Sequence, residues 1–474
     1  MRSVQPRRRI DTNALKRRFA MLLVTLLVAG GGAYAYQHWF VTGPPHPDSW
    51  DPRVVPIVRF VERERGLTFD HAIYVDFLTD ADYQTAVRGD ASSSTDTTEA
   101  LAAASDANDL FNAFGLVGTT NVARAEAAIS AAATIGFYTP ATDRIAIRGN
   151  RLTPAVRVVM AHELTHALQA QHFDLEGLDG SGVVRSVAEA DAMRIEDRYL
   201  NGLLPEDRAA AMADNTISAK ALRALATVPW TLTALRMAPY ELGPALVNMV
   251  YDQRGNDGVN LLFHTVPSEA QLLSPWKWSP GIDATPTQVD ARAPERTIEA
   301  GASAPMSRLQ LLVMFDAWLP WSMARGALDS LSGAAFVPYR TTADGPLCAA
   351  VSAQFTTDPH RFADAVTWWA GASGSTARPT VSGNTVSFDA CPRGRTAPTP
   401  PKPTVSTTTA LLVENAAIPH TVRDAAAATP FLCAARQLVD DPSGARVLSN
   451  AHRSAAEKDA IDAFMAKARR GCGG

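Results

Sequence analysis

The chain contains no Cys-x-x-Cys pair, no Gly-x-Ser-x-Gly elbow, no glycine-rich phosphate loop and no dinucleotide fingerprint. Each absence removes a class of chemistry. Without closely spaced thiols, a structural zinc site of four cysteines has no scaffold. Without the other motifs, neither a serine nucleophile nor nucleotide chemistry has anything to rest on. Cysteine itself is scarce: Cys348, Cys391, Cys433 and Cys472 are the only four in 474 residues. An even number suits two disulfides in an exported chain, with three possible connectivities. Nearest-neighbour pairing, Cys348 with Cys391 and Cys433 with Cys472, keeps each bridge within one apparent structural unit. There is no internal repeat.

An excess of basic charge is missing too, except at the start. Arg2, Arg7, Arg8, Arg9, Lys16, Arg17 and Arg18 face only Asp11, and an apolar run at residues 19–36 follows. That run is about long enough to cross a bilayer, with the basic flank staying in the cytoplasm. The expectation is a single-pass membrane anchor with the rest of the chain outside the cytoplasm. A cleaved signal peptide is the alternative, since Ala33-Tyr34-Ala35 has the form of a cleavage site and Gly30-Gly31-Gly32 interrupts the apolar run. Removing the seven basic residues and one acid of this segment takes the formal charge from −4 to −10. So acidic a remainder argues against nucleic acid as a partner. Nothing in the sequence indicates an oligomeric state.

The length is ample for more than one core. After a linker at 37–53, residues 54–285 read as one unit: a helix, a strand around 72–77, helices, a hairpin, then mostly helices. The polar stretch 91–98 reads as a surface loop. Residues 286–392 form an α+β region, with a helix at 306–323 that includes Trp318 and Trp321. Strand-like segments at 348–355 and 380–391 flank a helix near 360–369, where the Trp368-Trp369 pair suits a core better than a ligand platform. Residues 393–409, rich in Pro and Thr, read as a linker, and 410–474 as an Ala-rich helical segment. The expected class is α+β, mainly helical with a small mixed sheet and a disulfide-braced C-terminal region.

What the chain does contain is His162-Glu163-Leu164-Thr165-His166. Thr153-Pro154 reads as an N-cap and first-turn proline, and Val156, Val159, Met160, Leu164, Ala167 and Leu168 recur at helical spacing. Residues four apart on a helix share a face, so both imidazoles can reach one Zn²⁺, with Glu163 beside it to take a proton from water. Two incidental histidines on a buried helix are the plain alternative. Just upstream, Arg144-Ile145-Ala146-Ile147-Arg148 alternates like a strand. The segment resembles the zincin metallopeptidases, and the resemblance implies that this strand lines the cleft and pairs with an extended substrate.

A catalytic zinc takes three protein ligands and keeps a fourth position for water. His172 stands at the spacing of the third ligand in metzincins, but Gln169 occupies the position where that family needs Gly. On a continuing helix His172 lies about 15 Å along the axis from His162. Glu189, on a second helix expected over 183–200, is the better candidate, because Gly177, Gly180 and Gly182 allow the chain to reverse. Asp174 is a further possibility, and a solvated acid on a helix surface is the plain reading of Glu189. The arrangement resembles gluzincins, which implies His162, His166 and Glu189 as metal ligands and Glu163 as catalytic base. Asp191 lies about 200° round the helix from Glu189, so the two cannot face one centre. A surface salt bridge or cap is the simpler reading of Asp191.

Beyond the motif, the chain resembles a largely uncharacterised group of bacterial secreted or membrane-tethered zinc-peptidase-like proteins. The stretches that carry this are Arg65-Gly66-Leu67 with Phe69, Gly136-Phe137-Tyr138, residues 162–175, and Glu189-Ala190-Asp191-Ala192. Pro239-Tyr240 with Gly243 and the run from Pro267 to Pro275 add to it. Ser274 departs from the pattern, where the family commonly has His. The resemblance implies a zinc peptidase acting on a protein or peptide substrate, with Tyr240 as the oxyanion-stabilising group and Arg185, Tyr199 and His264 as rivals. A non-catalytic binding or scaffold protein at the cell envelope is the alternative.

Overall fold

A computed structural model describes residues 45–473 apart from 89–97, 133–134, 174, 176–181, 215–222, 224, 280–286, 393–396, 420–421, 423–424 and 451–453. The class is α+β and mostly helical, with one small mixed sheet and one antiparallel sheet. The chain opens with α1 (Val55–Arg65), β1 (Tyr74–Leu78), α2 (Asp80–Arg88), α3 (Thr98–Ala113) and α4 (Val122–Ala132). It then forms the hairpin of β2 (Gly136–Thr139) and β3 (Arg144–Arg148). The helices α5 (Pro154–His172), α6 (Val183–Gly202), α7 (Pro205–Asp214), α8 (Trp230–His264) and α9 (Glu269–Leu273) follow.

Local chemistry sets the bounds of the two central helices. The Thr153 side chain accepts from Val156 N and Pro154 fills the first turn, so α5 starts where its cap lies. It is buried on most of its circumference, from Ala155 to Gln169. Gly182 enters α6 with φ +67, a left-handed conformation that glycine adopts without steric penalty. α6 packs against α5 on one side and α8 on the other. Gly243 on α8 lies so close to α6 that an added Cβ would meet the Ser186 carbonyl oxygen and Ala190 Cβ. α8 breaks at Gly255, whose φ of +63 and ψ of −153 interrupt the helix.

The first sheet has the order β1-β3-β2, with β1 parallel and β2 antiparallel to β3. β3 therefore sits in the middle, its backbone groups engaged on both sides. The expectation that Arg144–Arg148 offers a free edge to a substrate is corrected: the edge next to α5 is β2. Ile145, Ile147, Met160, Leu164, Leu168 and Ile195 pack with α1 into one core beneath the sheet.

The later region comprises β4 (Glu299–Ala300), β5 (Ala304–Pro305), α10 (Arg308–Asp316), α11 (Trp321–Gly326), β6 (Leu331–Arg340), β7 (Cys348–Phe355), α12 (His360–Ser373), β8 (Thr380–Ser382) and β9 (Thr385–Ala390). Its antiparallel sheet runs β4-β6-β7-β9-β8, with β5 also paired to β6. The single helix expected over 306–323 is two, because Pro320 cannot continue α10 and instead precedes α11. Trp369 is fully buried, whereas Trp368 is 62 % exposed, so the pair is split between core and surface. The chain closes with α13 (Thr407–Ala417), α14 (Ala425–Asp440), α15 (Pro442–Leu448) and α16 (Ala455–Gly471).

Disulfides join Cys348 to Cys391 and Cys433 to Cys472, the nearest-neighbour pairing. The first ties the start of β7 to the residue after β9; the second ties α14 to the end of α16. One apolar core runs without interruption from Leu110 to Leu448, so α3, α8, α10 and the antiparallel sheet share an interior. Glu414 is buried between Arg325 and Arg436, and Arg436 also grips Asp329.

The single-pass membrane assignment is withdrawn. Among the described residues no helix is long and apolar enough to cross a membrane, and the run at 19–36 lies outside them, as does the stretch 91–97.

Two measurements test this packing. Gly243→Ala should destabilise the protein by about 1–3 kcal/mol or more, read by chemical denaturation, since backbone blocks the new methyl. Asp316 is buried against the Thr407 hydroxyl, and burial raises its pKa from 3.8 to about 7. The fold keeps that proton while the unfolded chain loses it, so stability drains away as pH climbs from about 4 to about 7 and then levels off. Asp316→Asn should gain stability relative to the parent across that window.

Candidate metal centre

His162 and His166 stand one turn apart on α5, and Glu189 projects from α6 towards them. His162 Nε2 and His166 Nε2 are 3.1 Å apart, and Glu189 Oε2 lies 3.4 and 3.2 Å from them. Among the described residues these three form the one His/Cys/Asp/Glu group able to hold a metal ion. The imidazoles remain 12 % and 18 % exposed, so solvent still reaches the group.

The outer contacts decide which nitrogen of each ring carries the proton. His162 Nδ1 faces the Glu196 carboxylate at 2.9 Å, so it donates there, and in the neutral ring Nε2 is the nitrogen that carries the lone pair. His166 Nδ1 lies 3.0 Å from Gln169 Oε1. The Gln169 amide nitrogen donates to the Ala188 carbonyl and to Asp191 Oδ2, which fixes its oxygen as the acceptor. The neutral His166 ring therefore also turns its lone pair inward. Two lone pairs 3.1 Å apart repel unless a proton or a cation lies between them.

Charges follow the same logic. Burial would lower the His162 pKa, but hydrogen bonds to Glu189 and Glu196 outweigh it and hold the ring well above its ordinary value. Burial would raise Glu189, yet the charge of His166 and its bonds to both histidines keep the carboxyl well below its ordinary range. Glu163 is buried beside the group, and burial pushes its carboxyl up against the pull of His162 and His166.

Glu163 is held from the sheet side. Its Oε2 accepts from Tyr138 N at 2.8 Å, and the Tyr138 hydroxyl donates to Asp143 Oδ1 at 2.8 Å. Asp143 in turn lies 2.7 Å from His71 Nε2. Asp143 is the one described non-glycine residue with positive φ, at +50, and it is buried. A left-handed aspartate between two hydrogen-bonding partners fixes the hairpin turn, and through it the strand that positions Glu163.

The other sequence candidates separate cleanly. His172 stays on α5 and bonds Thr68 O at 2.7 Å, away from the group. Asp174 lies outside the described residues. Asp191 is not on the surface: it is fully buried and paired to Arg65 at 2.7 Å and Arg194 at 2.8 Å. Burial would raise its pKa, but those two guanidinium groups keep it low. Through Gln169 it braces His166 after all.

Of the four polar candidates, Arg185 places Nε 3.5 Å from Glu189 Oε1 and Tyr240 stands within electrostatic reach of Glu189, while Tyr199 packs edge-on to Phe60 and His264 against Phe173. Ser274 accepts from Arg325 in the buried ion cluster and is not part of the group. Sequence reading misses Glu196 and Gln169. The signal was there, since Glu196 follows Glu189 by two helical turns and Gln169 follows His166 by one.

No protein-family model, no curated protein and no solved structure matches the chain. If the group holds zinc, removing the His162 brace by Glu196→Gln should weaken that binding about 10–100-fold, measured by competition with a chromophoric chelator, while the unfolding midpoint of the metal-free protein barely moves.

Proposed function

We propose that the protein is a zinc-dependent metallopeptidase of gluzincin-like build, with His162, His166 and Glu189 as ligands and Glu163 as general base. One observation carries the reading: two imidazole Nε2 atoms and a carboxylate oxygen converge 3.1–3.4 Å apart. Three ligands spaced tetrahedrally at zinc bond lengths lie about 3.3–3.5 Å apart, so the residues fit this ion. Zinc bound there supplies Lewis acidity, polarising a peptide carbonyl and acidifying water.

The chain's own residues do the rest. Glu163, buried and held by the Tyr138 N–H, takes a proton from the attacking water and returns it to the leaving amine. The Tyr240 hydroxyl, beside Glu189, donates to the developing oxyanion; burial raises its pKa well above the ordinary value, so it stays a donor across the physiological range. A protein or peptide substrate lies extended along the outer side of β2, the edge strand that contacts Glu163.

Metal analysis and peptide cleavage test this together. The purified protein should hold one zinc per chain, and Glu163→Gln should keep it while turnover falls by roughly two to four orders of magnitude. His162→Ala should lose both. Zinc without cleavage of any peptide in a degradomic library overturns the enzyme in favour of a metal-holding binding protein; no zinc overturns the proposal outright.

A further inference from the structure

The loop from α1 to β1, the turn between β2 and β3, and the last turn of α5 meet at one junction. Gln171, in that last turn, accepts from Asp70 N at 2.8 Å and donates to the His71 carbonyl at 3.1 Å. His172 beside it bonds Thr68 O at 2.7 Å. Two side chains of α5 therefore hold the backbone of residues 68–71, and with it the point from which the His71 ring starts.

That ring reaches across to the hairpin. His71 Nε2 lies 2.7 Å from Asp143 Oδ2, and the Tyr138 hydroxyl donates to the other oxygen of the same carboxylate at 2.8 Å. An ionised carboxylate accepts and cannot donate, so the His71 contact is an N–H given to Asp143. Asp143 is buried, and losing a donor there leaves an acceptor unsatisfied at a cost that an exposed acid does not incur. His71 is only partly buried, with His46 against its ring at a centroid distance of 4.4 Å. At the far end the Tyr138 N–H meets Glu163 Oε2 at 2.8 Å. The path thus leaves α5 at Gln171 and returns to it at Glu163, about two helical turns earlier.

We propose that His71 is a positioning residue for the general base: by donating to Asp143 it fixes the strand of Tyr138, whose N–H keeps the Glu163 carboxylate in place. The assignment rests on the metallopeptidase reading above and acts through residues outside its ligand set. Glu163 is held from two directions, its backbone by α5 and its carboxylate by β2, and His71 refers one to the other. A displacement of about 1 Å near a reacting centre costs on the order of 100-fold in rate, so a modest slackening of β2 is visible in turnover.

Three substitutions give the test. His71→Phe keeps an aromatic ring against His46 and removes the donor, whereas the amide of His71→Gln can still donate to Asp143. Tyr138→Phe cuts the same path one bond further on and leaves the backbone N–H in place. Hydrogen exchange of the amide at position 138, read at single-residue resolution on the metal-free full chain, should be about tenfold faster in either Phe variant and near the parent rate in His71→Gln. On zinc-loaded protein with a peptide that the parent cleaves, His71→Phe should lower kcat about 10–100-fold while KM moves less than about threefold. His71→Gln should recover most of that loss. His71→Phe and Tyr138→Phe combined should be hardly worse than either alone, because both cut one path. Tyr138→Phe supplies the reading should His71→Phe not fold.

Unchanged exchange at position 138 in the Phe variants overturns the role of His71. So does full turnover alongside faster exchange, and so do losses that simply add, the mark of a generally loosened fold. Failure of the underlying reading is seen separately, as a parent protein that cleaves no peptide, and the exchange rates then still decide whether His71 holds β2 against Glu163.

Discussion

Two ring nitrogens turned towards each other at 3.1 Å, which repel unless a proton or a cation lies between them, are the constraint on which the site depends. His162 and His166 are each held at Nδ1 by an acceptor, so neither can relieve the repulsion by exchanging tautomers. The cost is met by something positive in the gap, either a proton or a cation. Fold and chemistry meet here. The acceptors come from α5 and α6, so the packing of two helices determines the protonation of two rings.

That packing is itself secured by groups with little tolerance. α6 is pressed from one side by α5 and from the other by Gly243 of α8, which leaves no room for a side chain. Asp191, buried with two arginines, reaches His166 only through the Gln169 amide. A buried ion pair is a poor source of net stability, since desolvation offsets most of the attraction. Its geometric value is larger: the amide of Gln169 can point only one way while Asp191 stays ionised.

Much of this was legible. The HExxH helix announces itself through Thr153-Pro154 and the spacing of its apolar residues, and the second strand of the hairpin, Arg144–Arg148, carries alternation. The second helix and Glu189 follow from chain reversal at a glycine-rich link. Strand order was not legible, because the parallel partner of β3 is β1, some 70 residues away, and pairing is set by tertiary packing. The link from Tyr138 through Asp143 to His71 joins residues with no shared periodicity. Pro320 was visible, but the apolar spacing on both sides of it hides the break in a single helix. Asp191 shows the reverse problem: an acid on a helix reads as solvated until Arg65, from another helix, arrives to bury it.

The clasp around Asp191 also sets a timetable for biosynthesis. Arg65 belongs to the first described helix, Asp191 to the fifth helix after it, and Asn260 and Asn256 beyond the Gly255 break hold Arg65 and Arg194 in place. A ribosome must deliver about two hundred residues after Arg65 before this last pair of amides exists. Until then the two arginines that pair with Asp191 lack their amide partners. A nascent chain therefore carries both histidines about ninety residues before the outermost layer of their support has been made.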